Sequence, residues 1–96
     1  MTIFENSRSM TSSVCGEWAE RVTGRAEPAW LVSWLPHRLD REQARAAMEL
    51  GELLSRPDFA SDRPAQIRAA ASARILGITV RQALELLHRR MRDRHS

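Results

Sequence analysis

The chain has 96 residues, enough for one compact domain with one modest core. Hydrophobic residues make up 43% and charged ones 28%, ordinary globular values that exclude wholesale disorder. The formal net charge is +3, all 15 basic residues are arginine, and residues 61–96 hold eight of them against three acids. That imbalance points to an anionic partner for the C-terminal third. One cysteine, Cys15, excludes an internal disulfide and suits a reducing cytoplasm. The longest apolar stretch, Ala29–Leu35, is too short to span a bilayer, and no secretory pattern opens the chain, so neither membrane nor export is expected.

Residues 1–12 are polar and aperiodic and are expected to form a flexible N-terminal arm. From Ser13, Val14, Trp18 and Val22 recur every four residues, which predicts a short amphipathic helix stopped by Gly24. Pro28 opens a second short helix that puts Trp30 and Trp34 on one face, and Pro36 ends it. This pair anchors a small core or, alternatively, forms a partner-binding hot spot. Asp40 with Gln43 makes a capping box for a third helix, in which Ala44, Ala47, Met48, Gly51 and Leu50 or Leu54 trace the apolar stripe. Glu42, Glu49 and Glu52 fall with Arg41 and Arg45 on its solvated side, with Arg45 and Glu49 spaced to pair. Phe59 plugs the core from the following loop.

Asp62 and Pro64 start the next helix, which continues through Ile67, Ala70, Ala71, Arg74 and Ile75 to Gly77, a left-handed stop. Thr79 and Gln82 form a second capping box, and the last helix runs from Val80 to about Arg92 with Ala83, Leu84, Leu87 and Met91 apolar. The expected fold is therefore all-α, a compact bundle of four to five short helices: residues 13–93 are one helical domain, 62–92 its C-terminal corner, and 94–96 a tail.

Ala73, Gly77, Ile78, Ala83 and Leu86 carry a pattern that resembles a helix-turn-helix over residues 69–90. The resemblance implies that the helix from Val80 is a recognition helix whose Thr79, Val80, Arg81 and Glu85 face the major groove of double-stranded DNA. Arg81 is the candidate for a bidentate contact to guanine. Arg63, Arg68, Arg74 and Arg89 would contact phosphates. Leu84 departs from the pattern, since that position is usually polar; with Leu87 and Met91 it would extend an apolar face toward a second chain or another helix. Upstream, the run from Trp30 through Trp34, Pro36, Arg38, Asp40, Gln43 and Ala44 to Met48 resembles a box in small uncharacterised actinobacterial or actinophage proteins, which implies a bacterial or phage origin and no activity.

Catalysis is not expected. His37, His88 and His95 are scattered, Cys15 is remote from them in sequence, and the four glycines are isolated, so no nucleophile set, metal site, cofactor or phosphate loop is indicated. The expected function is a small cytoplasmic DNA-binding or transcription-regulating protein, with a homodimer as the usual form. The alternative is a protein–protein interaction module docking on a host protein through Trp30/Trp34 or the Leu84/Leu87/Met91 stripe.

Overall fold

In the computed structural model, which describes residues 3–12, 16–22, 29–35 and 38–95, the N-terminal half is a sheet and the C-terminal half is helical. Five strands, β1 (Ile3–Glu5), β2 (Ser9–Ser12), β3 (Trp18–Val22), β4 (Ala29–Val32) and β5 (Arg38–Leu39), form an antiparallel meander in sequence order. Three helices follow, α1 (Arg41–Leu54), α2 (Arg63–Leu76) and α3 (Val80–His95), with a 3-10 turn at Phe59–Ser61. The expected all-α bundle is overturned: the architecture is α+β.

The correction falls on three segments. Residues 3–12, expected as an arm, pair as a hairpin with Phe4 opposite Thr11. Asn6 builds its turn: the side-chain oxygen accepts from the backbone N–H groups of Arg8 and Ser9, each at 2.8 Å. Trp18–Val22 and Ala29–Val32 are strands where helices were expected. The reason is geometric. Residues four apart share a face in a helix and also in a strand, whose period of two divides four. The deciding signal is the intermediate position: Trp30, Val32 and Trp34 are all buried while Leu31 is exposed, which is strand alternation. Gly24, Pro28 and Pro36 lie outside the described residues.

One sheet face, carrying Ile3, Met10, Ala19, Trp30, Val32 and Leu39, packs on α1. α2 lies on the far side of α1, so α1 is the middle of three layers. That explains why Ala44, Ala46, Ala47, Met48, Leu50, Gly51, Glu52 and Leu53 are all buried, well beyond one stripe. α2 meets α1 through Ala65, Ala69, Ser72 and Ala73, small side chains at helical spacing that let the two backbones approach closely. The larger Ile67 and Ile75, expected on the packed face, point outward at 62% and 43% exposure. Phe59 packs against the core from its loop as expected.

The punctuation of the helical half follows the sequence. Asp40 accepts from the Gln43 N–H at 2.7 Å and Gln43 Oε1 accepts from the Asp40 N–H at 3.1 Å, a complete capping box. Asp62 accepts from the Ala65 N–H at 3.1 Å and also takes a hydrogen bond from Arg56 at 2.8 Å, which ties the exit of α1 to the start of α2.

Candidate nucleic-acid interface

The α2–α3 corner is built by backbone chemistry at three residues. Gly77 sits at φ 73°, ψ 23°, a left-handed conformation that glycine adopts without steric cost. Its N–H donates to the Arg74 carbonyl and the Ile78 N–H to the Ala73 carbonyl, both at 3.1 Å, the paired bonds of a Schellman stop. Thr79 Oγ1 accepts from the Gln82 N–H at 3.1 Å, and Gln82 Oε1 from the Thr79 N–H at 2.9 Å. The chain thus leaves one helix and enters the next within three residues.

Ala83 and Leu87 bury the inner side of α3, and Val80, Leu84 and Leu86 are half-buried beside them. The outer side is Arg81, Gln82, Glu85, His88, Arg89 and Arg92, all exposed and recurring at helical spacing. Of the expected groove-facing residues, Thr79, Arg81 and Glu85 are therefore exposed, whereas Val80 packs against the core. Gln82, His88 and Arg92 share the outer face and were missed. Counting three residues on from Glu85 and from Arg89 would have found the latter two.

Arg74 lies with Ile78, Thr79 and Val80 along a shallow groove at the corner, so the fold brings it next to the start of α3. Arg63 is exposed at the opposite end of α2, roughly 20 Å away at 1.5 Å per residue. Arg68 is exposed on the same helix. Among the described residues, Arg63, Arg74, Arg89 and Arg92 hold no ion pair, and Arg81 has only a loose one to Glu85 at 3.8 Å.

Three arginines around α1, Arg41, Arg45 and Arg56, are by contrast paired with carboxylates. Glu5, 16% exposed, is gripped by Arg41 and by Arg45, the latter at 2.7 Å, and Arg45 also reaches Glu49 at 3.2 Å. The hydrogen bonds from Arg41 and then Arg45 hold the Glu5 carboxyl below the usual carboxylate value, and the bond to Glu5 raises Arg45. Arg56 is raised and Asp58 lowered by their mutual hydrogen bonds.

The expected partner-binding residues do not form a surface. Trp30 and Trp34 are 3% and 4% exposed and belong to the core, so the docking role for this pair is withdrawn. Leu87 is buried and Leu84 half-buried; the side chain of Met91 lies outside the described residues. Two carboxylates were unforeseen. Glu52, expected on a solvated face, is fully buried and accepts from Ser12 Oγ. Glu17 is buried beside it in the strand order, accepts from Ser33 Oγ at 2.5 Å and has Arg90 Nε at 3.5 Å. Their oxygens are enclosed, so this cluster ties the sheet end to α1 and α3 rather than offering a reactive group to solvent.

Cys15 and His37 lie outside the described residues, and His88 is exposed. Among the described residues no group of three or more His, Cys, Asp or Glu could hold a metal ion, and no helix is long and apolar enough to cross a membrane. No family model, curated protein or solved structure matches the chain.

Proposed function

We propose that the protein binds double-stranded DNA through α3 and acts as a small cytoplasmic regulator. The observation that supports this most is the outer side of α3, where Arg81, Arg89 and Arg92 stand exposed around Gln82, Glu85 and His88 with one weak ion pair among them. Guanidinium groups left without carboxylates on one helix face are suited to phosphates, which bind such groups in paired hydrogen bonds. In this arrangement Arg81 and Gln82, in the first turn after the corner, address base edges. Arg74, Arg89 and Arg92 position the helix on the backbone, and Arg63 and Arg68 contact phosphates further along. The bacterial or phage origin implied by the Trp30–Met48 box belongs to the same proposal.

Fluorescence anisotropy with a labelled duplex, titrated at several salt concentrations, tests it. Log affinity should fall with log salt at a slope of about −4.5, roughly 0.9 for each of the five phosphate contacts. Arg81→Ala should reduce discrimination between duplexes, and Arg89→Ala should weaken all duplexes alike. No binding at low salt would remove the proposal.

A further inference from the structure

Among the described residues, no helix packs on the second face of the sheet. The main contacts between strands and helices run through α1 on the inner side, while Phe4, Trp18 and Leu31 point outward at 59%, 42% and 41% exposure. The half-buried Val22 and Ala29, paired in register, continue the apolar surface. A lone exposed leucine is ordinary on a soluble protein, but a tryptophan and leucine on adjacent strands form a contiguous patch.

Polar residues on this face select the occupant. The register places Ser9 opposite Glu20, Glu20 opposite Leu31 and Leu31 opposite Arg38, one row across β2 to β5. Leu31 is thus flanked by an acid on β3 and a base on β5. Both are exposed, and among the described residues neither holds an ion pair. A two-fold axis running along β4 over Leu31 exchanges the strands on its two sides. It sets Leu31 on its own copy and each Glu20 over the other chain's Arg38, twice. An isologous interface requires such self-complementarity. A sheet of uniform charge would lack it, and an axis along β3 would bring Glu20 onto Glu20.

We propose that the outer sheet face is a homodimer interface formed by two copies of this chain packed through β3, β4 and β5. Two sheets so aligned pack about 10 Å apart with their side chains interdigitated. On strands about 4.8 Å apart, with β4 four residues long and β5 only two, the overlap is at most roughly 14 by 14 Å. With side chains this buries on the order of 800 Å² in total, below the roughly 1,200 Å² at which stable specific interfaces begin, so the dimer is a weak one that forms in the micromolar range or above. Phe4, on β1, lies two strands outside this overlap. The inference is independent of DNA binding, since it uses the opposite side of the molecule from the α2–α3 corner.

Sedimentation equilibrium on the full chain, without nucleic acid, tests it over a wide concentration series. The wild type should pass from monomer to dimer as concentration rises. Leu31→Asp should abolish this while leaving the circular dichroism spectrum unchanged. Glu20→Arg and Arg38→Glu should each weaken self-association by about tenfold or more, because each sets like charges face to face. Mixing the two single variants should restore association, as each then offers the charge its partner lacks, and this result holds even if Leu31→Asp fails to fold. A wild type that stays monomeric to its solubility limit overturns the proposal. So does a dimer indifferent to Leu31→Asp, or a mixture that associates no better than its components.

Discussion

Glu52 shows how far one residue's environment can depart from its neighbours'. It lies on the same helix as Glu42 and Glu49, yet it faces the sheet and is fully buried, with Oε2 accepting from Ser12 and Oε1 without a partner among the described residues. A buried polar atom that loses its only hydrogen bond costs about 1–3 kcal/mol, while replacing both partners with apolar groups can be nearly neutral. Ser12→Ala should therefore lower unfolding stability by about 2 kcal/mol in urea denaturation. Combining it with Glu52→Met should recover much of the loss, and a strictly additive double mutant would contradict this account. Glu5 gives the pH-dependent counterpart. Its folded-state value lies below the ordinary 4.5, so its ion pairs stabilise the fold fully above that value and are lost as pH falls through the lower one. Arg41 and Arg45 are largely exposed, so screening limits the effect to about 1 kcal/mol. Glu5→Gln should remove it at neutral pH, and wild type and variant should converge in stability as the solution is acidified toward pH 3.

At the scale of elements, the α2–α3 corner rests on a single backbone conformation. A Cβ at Gly77 would meet nothing within 4 Å, so a side chain there is opposed by the left-handed φ alone. Gly77→Ala should destabilise by about 1 kcal/mol, and Gly77→Asn by less because asparagine tolerates that region better. Thermal unfolding of the two variants checks the order. This corner was legible in the sequence because caps, stop and capping box are local: Asp62, Gly77, Thr79 and Gln82 each act within four residues of themselves. The same holds for Asp40 and Gln43 at the start of α1. The strands were not legible. Their apolar residues recur at a spacing common to both periods, and the N-terminal hairpin is short, with only Asn6 and Ser7 as turn chemistry. Sheet pairing also joins residues distant in sequence, such as Trp18 and Ser33, and no local pattern reports it. The buried carboxylates escaped for a related reason, since only the stacking of α1 between sheet and α2 makes the Glu52 side an interior. The exposed side of α3 was half legible: Arg81 and Glu85 stood out by type, His88 and Arg92 follow from helical spacing, and Gln82 was legible only in its capping role.

At the scale of the whole molecule, two sets of arginines differ by what they face. Arg41, Arg45 and Arg56 sit among Glu5, Glu49, Asp58 and Asp62 and hold the strands, α1 and the start of α2 together. Among the described residues, Arg63, Arg74, Arg89 and Arg92 face solvent without a carboxylate, and their mutual repulsion opposes folding slightly while raising the local positive potential. The two sets should respond oppositely to the same substitution. Arg45→Ala should lower stability by about 1 kcal/mol, because Glu5 and Glu49 both lose a partner, and should leave duplex affinity within twofold or so. Arg89→Ala should leave stability unchanged or slightly raised and should weaken duplex binding, with the salt slope falling by about 0.9 for the phosphate contact removed. Measuring both properties on both variants separates the structural arginines from the ligand-facing ones. If Arg89→Ala lowered stability as much as Arg45→Ala and left the salt slope unchanged, the α3 face would be part of the scaffold, and the proposed DNA contact would lose its electrostatic basis.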